Sequence, residues 1–213
     1  MGDSSEAIGV RLKEKLADAG LDRLDSAVAT RFGDYCTLLL RWNARTNLTA
    51  VRDEDGILAR HFVESIACAR ALPPGIASLL DFGSGAGFPG IPIALCRPEI
   101  AVTLAESQGK KAAFLREAVR TLGLSSMVHS GRAETLATRF DCVTLRAVDR
   151  MGEAARTASG LISPGGFLVL LTTEAELEEL KSSLGAQLTW GDPRQLEGSR
   201  RGVVAVARVG NAG

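Results

Sequence analysis

Between Leu79 and Pro92 the chain reads LLDFGSGAGFPGIP, with four glycines and two prolines directly behind a short apolar run. Glycine loses the most conformational freedom on folding, so a cluster this dense serves a backbone shape. Gly83, Gly85 and Gly87 let the chain bend sharply and let a ligand lie against bare main chain. The preceding run, Ser78–Phe82, reads as a strand. The following run reads as a helix whose first turn holds Pro89 and Pro92, where a missing N–H costs nothing. Strand, glycine turn and helix form a crevice at the carboxyl end of a strand, where open α/β sheets bind nucleotides.

Two details narrow the ligand. The spacing is G-x-G-x-G, and the sixth position is Phe88, whereas a dinucleotide fingerprint wants G-x-G-x-x-G for its pyrophosphate. Asp81 beside the glycines would repel a pyrophosphate and suits an ammonium group. Glu106 then closes the second strand, in LAESQGKK, where a carboxylate can accept both hydroxyls of a ribose. An amino-acid end plus a nucleoside end describes S-adenosylmethionine (SAM). Arg132-Ala133-Glu134 follows the third strand, in the turn that borders an adenine in such a sheet. Glu134 also suits the first turn of a helix.

Methyl transfer needs a nucleophile in line with the sulfonium. No Ser-His-Asp order, carboxylate pair or catalytic cysteine stands out. A nucleophile carrying a removable proton wants a general base, whereas an aromatic ring nitrogen with a free lone pair does not. The sequence is therefore compatible with transfer to a base nitrogen. Arg146 ends the fourth strand, in FDCVTLRAV, at the edge that faces the crevice. Arginine there offers a planar fork to a guanine edge or a phosphate, or is simply a surface cation. His61 follows Arg60 on a helix and reads more simply as structural or solvated, and His129 carries no assigned role. Tyr35 and Trp42 read as packing residues.

The elements that must position these residues fall into two zones. Residues 1–72 carry helical periodicity, with Val10, Leu12, Leu16 and Ala17 on one face and Tyr35, Leu38, Leu39 and Trp42 on another. A third helix is predicted from about Gly56 to Leu72, with Asp53 or Asp55 near its N-cap and Pro73-Pro74-Gly75 beyond it. Strands are then predicted at Ser78–Phe82, Ala101–Ala105, Ser126–His129, Cys142–Leu145, Phe167–Thr172, Gln187–Gly191 and Val203–Arg208. Helices are predicted at Gly109–Leu122, Asp149–Gly160 and Glu174–Leu184. Such alternation predicts a mostly parallel sheet covered on both faces. Residues 192–202 read as a loop, so the last two strands should form an antiparallel hairpin. The expected division is a helical extension over residues 1–74 and an α/β domain over 75–213.

Composition excludes several classes. With 46% hydrophobic and 23% charged residues among 213, the chain is globular, and its formal net charge is zero. Residues 109–146 nevertheless carry seven Lys and Arg against three Asp and Glu, a local excess of +4, which can serve as a basic face. Cys36, Cys68, Cys96 and Cys142 are scattered without a CxxC pair, so reduced thiols are expected and a zinc site is not. The N-terminus is acidic and unlike a secretory signal, and no apolar run approaches membrane-spanning length. A cytoplasmic protein with no membrane contact is expected. Asn47-Leu48-Thr49 matches a glycosylation acceptor only as a common triplet.

Trp42-Asn43, Thr46-Asn47-Leu48-Thr49, Arg52, Arg60-His61 and Ser65 lie upstream of DFGSGAGFPGIP, and LAESQGKKAAFL and LRAV lie downstream. This set resembles the RsmG family, also called GidB or glucose-inhibited division protein B, from about Tyr35 to Val148. The resemblance implies a Rossmann-like class I SAM-dependent methyltransferase fold. It would have a seven-stranded, mostly parallel sheet, an antiparallel last strand and a helical N-terminal extension. It implies methylation of N7 of a guanine (position 527, in the 530 loop) of 16S ribosomal RNA, within the 30S subunit or an assembly intermediate; a monomer without a metal is expected. By the same resemblance Gly83 and Phe88 flank the cofactor, Glu106 binds ribose, Ala133 and Glu134 border adenine, and Arg146 lies at the cofactor–substrate junction as the catalytic residue. Asn47, Arg52, Arg60 and His61 would line the substrate side. The family usually has Asp where Glu64 and Glu106 stand, and often a Lys-Gly pair where this chain has Thr172-Thr173. Rival readings are a NAD-dependent oxidoreductase, a methyltransferase acting on another RNA or a small molecule, and a SAM- or RNA-binding module without catalysis.

Overall fold

The computed structural model describes residues 2–185, 187–196 and 201–210. Two helices open the chain, α1 (Gly2–Asp18) and α2 (Ser26–Thr46). The Asp25 carboxylate caps α2 by accepting from the Ala27 N–H at 2.8 Å, and Asn47 ends it in the left-handed conformation. The buried face of α1 is Ile8, Leu12 and Leu16 at a spacing of four residues; Val10 is 46% exposed and Ala17 is exposed, against expectation. Asp53 caps the next helical run by accepting from the Gly56 N–H at 2.7 Å. That run is one continuous rod: α3 (Glu54–Gly56), a π-helical stretch Ile57–Val63 and α4 (Glu64–Ala71). The π-helical widening, a feature frequent at functional sites, falls on Arg60 and His61.

The strands are β1 (Ser78–Phe82), β2 (Ala101–Ala105), β3 (Met127–His129), β4 (Phe140–Arg146), β5 (Ile162–Thr173), β6 (Leu188–Trp190), β7 (Arg194–Gln195) and β8 (Gly202–Val209). Their order is β3-β2-β1-β4-β5-β8-β6, with the two-residue β7 also on β8. The first five strands run parallel, and β8 lies antiparallel between β5 and β6. All seven strands expected from the sequence are present. The eighth, β7, arises inside the segment expected as a loop, of which residues 197–200 lie outside the described residues.

Between the strands run α5 (Gly90–Cys96), α6 (Gly109–Thr121), α7 (Met151–Ser159) and α8 (Glu174–Leu184). Alternation along each strand sends successive residues to opposite faces. Leu79, Val102, Leu104, Cys142 and Val169 join one buried cluster, which also contains Leu16, Phe32, Tyr35 and Phe62 of the N-terminal helices and Phe114 of α6. Leu80, Val143, Leu145, Leu168 and Leu170 join a second cluster with Met151 and Ala155 of α7 and Leu177 and Leu180 of α8. The N-terminal helices and the sheet therefore share one core. Among the described residues no helix is long and apolar enough to cross a membrane.

In register, Phe82 of β1 stands beside Ala105 of β2 and Leu145 of β4. The three strands thus end level. Gly83 and Glu106, which follow β1 and β2, and Arg146, the last residue of β4, with Ala147 after it, are delivered to one edge of the sheet.

Candidate active site

At that edge lies a cavity of about 360 Å³, lined by Gly83, Ser84, Gly85, Ala86 and Phe88 of the glycine turn, by Glu106 and Lys111, and by Arg146 to Asp149 after β4. Leu48, Thr49 and His61 close it from the helical side. A second cavity of about 380 Å³ runs on past β2, lined by Gly131 to Glu134 and sharing Gly83, Glu106, Ser107, Val148 and Asp149 with the first. Glu106 therefore stands on the wall common to both. Each volume falls within the usual range for small-molecule sites.

The glycine turn is held from behind. Gly85 adopts φ +57°, and a Cβ placed there would meet nothing closer than the Gly83 carbonyl at 3.9 Å, so its bare face is turned to open space. Gly87, at φ +92°, serves packing instead. A Cβ there would come within 2.5 Å of Ile91 Cδ1 and 2.7 Å of the Tyr35 hydroxyl. That buried hydroxyl donates to the Ala86 carbonyl, which fixes the turn from α2. Pro89 is the residue before α5, not within its first turn; Pro92 is inside it.

Two expectations are corrected here. Asp81, expected to face an ammonium group, is 1% exposed and absent from the cavity wall. Its oxygens accept from Thr144 Oγ1 at 2.9 Å and the Gly90 N–H at 3.1 Å, so it ties β1 to β4 and to the start of α5. Burial pushes its carboxyl up to about 6, against those hydrogen bonds. The Arg146 fork, expected either to meet a guanine edge or a phosphate or to be a surface cation, is largely spent on protein. Its Nη2 reaches Glu64 Oε2 at 2.5 Å, the Arg60 carbonyl at 2.8 Å and His61 Nδ1 at 3.2 Å, and Nη1 reaches Ser65 Oγ at 3.4 Å.

Glu106 is 6% exposed; Oε2 accepts from the Gly85 N–H at 2.9 Å and Oε1 from the Gln108 N–H at 2.7 Å. Each oxygen keeps a further lone pair for a hydroxyl. His61 lies flat on Phe88, with centroids 4.6 Å apart and planes at 26°, and the Arg146 guanidinium sits 5.9 Å from the same ring. Among the described residues no group of three His, Cys, Asp or Glu side chains is arranged to hold a metal. The four cysteines are free; burial pushes Cys36 up to about 12 and Cys96 up to about 11, so neither is a ready thiolate.

The description rRNA small subunit methyltransferase G, that of the GidB family, fits residues 29–189, which run from within α2 into β6 and include the glycine turn and the sheet edge. The chain belongs to the GidB family. A protein named Ribosomal RNA small subunit methyltransferase G from Stenotrophomonas maltophilia (strain K279a) is 42% identical over 177 residues, covering 82% of this chain and 81% of that protein. One of the same name from Xanthomonas axonopodis pv. citri (strain 306) is 44% identical over 191 residues, covering 85% and 88%. Among solved structures, a SAM-dependent methyltransferase from Aquifex aeolicus matches with TM-score 0.58 at 15% identity, covering 72% of this chain and 93% of that one. P. horikoshii TYW2, solved in complex with MeSAdo, matches with TM-score 0.59 at 16% identity, covering 71% and 63%. These two likenesses show the fold.

Set against the residues expected of a GidB protein, the geometry divides them. Gly83, Gly85, Phe88, Glu106, Arg146 and His61 line the first cavity, and Ala133 and Glu134 line the second. Asn47, Arg52, Arg60 and Gly87 do not line the first. Arg52 and Asn47 instead pair with each other at 2.5 Å, and both are exposed, as is Arg60. Where the GidB family often has Lys-Gly, Thr173 caps α8 by accepting from the Glu176 N–H, and Thr172 donates to the Glu176 carboxylate. That position is thus given to a helix start. Thr49, Lys111 and the turn Ala147–Asp149 were given no site role from sequence, yet they line the cavity. Ala147 follows the fourth strand at φ +48°, a strained value for a residue with a side chain.

His61 yields a prediction of its own. Burial first, then the Arg146 and Arg60 cations, push the imidazole down to about 3. In the unfolded chain it titrates near 6.5. The unfolded state therefore binds the proton more readily between those values, so stability is full above about pH 6.5 and falls as pH drops toward 3. Urea unfolding from pH 7.5 to 4.5 should give a steeper loss for the wild type than for His61→Phe. The excess slope should be at most about 1.4 kcal/mol per pH unit. Equal slopes would show that the imidazole is not held neutral.

Proposed function

We propose that this protein is a SAM-dependent methyltransferase that modifies N7 of a guanine in 16S ribosomal RNA, acting as a monomer on the small subunit or an assembly intermediate. The observation that carries this reading is the state of His61, the imidazole in the cavity wall. Its Nδ1 lies 3.2 Å from Arg146 Nη2, whose N–H groups also face Glu64 Oε2 at 2.5 Å and the Arg60 carbonyl at 2.8 Å. Its Nε2 is hydrogen-bonded to Thr49 Oγ1 at 2.8 Å, the ring donating in one tautomer and the hydroxyl in the other, so both ring nitrogens are engaged. No lone pair is left on this ring to remove a proton from a substrate. Guanine N7 has a lone pair and no proton, so it needs none removed, and positioning alone can lower the barrier by roughly 7–11 kcal/mol.

The residues fit the donor. The bare backbone of Gly83 and Gly85 would lie along its amino-acid portion, Glu106 would accept from its ribose, and the Ala133–Glu134 turn would border its adenine. When bound, SAM supplies an electrophilic methyl on a sulfonium. Phe88 and His61 form a stacked floor at the junction, and Arg146 fixes the imidazole edge. Lys111 and Arg132, on the walls of the two cavities, belong to the segment of excess positive charge and suit an approaching phosphate backbone.

The deciding assay incubates the protein with tritiated SAM and 30S particles that lack the modification, then maps the labelled base. Label at a single guanine N7 of 16S rRNA is expected. Label confined to protein or small molecules, with none on rRNA, would overturn the assignment.

A further inference from the structure

SAM carries an ammonium, and Asp81, expected to meet it, is buried and spent on Thr144 and Gly90. The wall of the first cavity carries two other carboxylates, Glu106 and Asp149, and both also line the second cavity. Glu106 follows β2 and Asp149 follows β4, and those strands flank β1 on either side. The two acids therefore reach the glycine turn from opposite sides. Glu106 is committed to the N–H groups of Gly85 and Gln108. Asp149 is exposed, and among the described residues its carboxylate makes no hydrogen bond or ion pair. Nearby cations do not neutralise it. Arg146 pairs with Glu64, Arg150 pairs with Glu153 at 3.0 Å, and Lys111 on the same wall forms no ion pair with it. The approach of Asp149 to the turn is held by its neighbours. Val148 packs on the second core cluster and against the bare face of Gly83, where a Cβ would come within 2.7 Å of Val148 Cγ1. Ala147 and Arg150 hold φ +48° and +53° on either side, values that cost energy in residues with side chains. That backbone turns Val148 inward and leaves Asp149 on the cavity wall.

Resting on the SAM reading above, we propose that Asp149 holds the ammonium of the donor's amino-acid portion. With adenine at the Ala133–Glu134 turn and ribose at Glu106, the donor runs from the second cavity into the first, past Gly83. Its ammonium presents three N–H donors, and a carboxylate without a protein partner accepts them in charge-assisted hydrogen bonds. Asp149 thus takes the part expected of Asp81. Holding the amino-acid portion at one end and the ribose at the other fixes the sulfur between them, and with it the direction of the methyl toward Phe88 and His61.

The test removes the charge from either partner. Asp149→Asn keeps the shape and loses the charge. The probes are SAM, S-adenosylhomocysteine and 5′-methylthioadenosine, the last of which keeps the sulfur and lacks the ammonium. Titration calorimetry should show Asp149→Asn weakening SAM and S-adenosylhomocysteine alike, each about tenfold, the worth of one charge-assisted hydrogen bond. The variant should bind 5′-methylthioadenosine as the wild type does. Asp149→Glu, which keeps the charge, should bind SAM to within about threefold of the wild type. The thermal midpoint of Asp149→Asn without ligand should match the wild type, because the carboxylate holds nothing within the protein. Equal losses on all three ligands would show a general effect on the cavity and overturn the proposal. A loss on SAM alone would assign the carboxylate to the sulfonium, and unchanged binding of all three with a lower kcat/KM on 30S particles would assign it to the rRNA; either result overturns the ammonium role. The wild type reports separately on the donor reading: failure to bind SAM or S-adenosylhomocysteine sinks that reading, whereas binding of both with no difference between ligands sinks only the role of Asp149.

Discussion

Arg146→Ala is expected to lower kcat for rRNA methylation by about 100-fold, the cost of a misplaced reacting group, while SAM affinity changes little. The guanidinium contacts Glu64, Ser65, the Arg60 carbonyl and His61, all on the helical rod, from the end of β4. It is the tie between the sheet edge and the wall that carries the imidazole. Removing it frees the His61 ring and widens the junction where methyl donor and acceptor must meet. The same change leaves the Glu64 carboxylate without its cation at a site where each partner is 14% exposed. Burial already raises the Glu64 carboxyl, so the orphaned acid should take up a proton more readily still. Breaking such a pair from one side costs about 3 kcal/mol. A second variant separates the two consequences. Arg146→Ala with Glu64→Ala removes both charges and should recover most of the lost stability in urea unfolding, yet methylation should stay low. Recovery of kcat in the double variant would mean that Arg146 matters only as the partner of Glu64. A kcat within threefold of wild type in Arg146→Ala would remove it from the site altogether.

The fold was legible where one residue pattern dominates. The bounds of β1 and β2 follow from short apolar runs between breakers, and α8 from Thr173 ahead of an amphipathic run. The edge that gathers Gly83, Glu106 and Arg146 follows from parallel strands that end in register. Asp81 was misplaced for a reason that the sequence also contains. Along β1 it shares parity with Leu79, so it points to the face covered by α5 and not out of the strand end, and its register partner Thr144 supplies a hydroxyl on that same face. Spacing to the glycines gave the neighbourhood but not the direction. Arg146 was placed correctly at the edge, and its partners lay 81 to 86 residues earlier, where no local pattern could announce them. Thr49 was given no site role for the same reason, its contact with the His61 ring crossing 12 residues of chain. The N-terminal helices thus contribute more than cover to the sheet, since they carry the far wall of the cavity.

Glu106→Ala is expected to weaken SAM binding about 100-fold, the loss of two hydrogen bonds to a charged acceptor at roughly 1.5 kcal/mol each. The carboxylate stands on the wall shared by the two cavities, so one bound molecule spanning both must pass it. It holds Gly85 and Gln108 through their N–H groups, one to each oxygen. Those bonds fix the carboxylate plane before any ligand arrives, which reduces the ordering cost of binding. Titration calorimetry with SAM and with the demethylated product should show equal losses, because a ribose contact does not distinguish the two. Glu106→Gln should lose nearly as much, because its amide nitrogen must face one of the two N–H donors. Glu106→Asp keeps the charge with one methylene fewer and should bind within about tenfold of wild type, reach being the only thing changed. The stabilisation of the protein by SAM offers an independent reading. It grows with the logarithm of ligand over Kd, so Glu106→Ala should need about 100 times more SAM to reach the same rise in Tm. A folded Glu106→Ala protein that binds SAM as tightly as the wild type would leave the carboxylate as a brace for Gly85 alone. The selection of a nucleoside donor would then have to come from the backbone of the glycine turn and the Ala133–Glu134 wall.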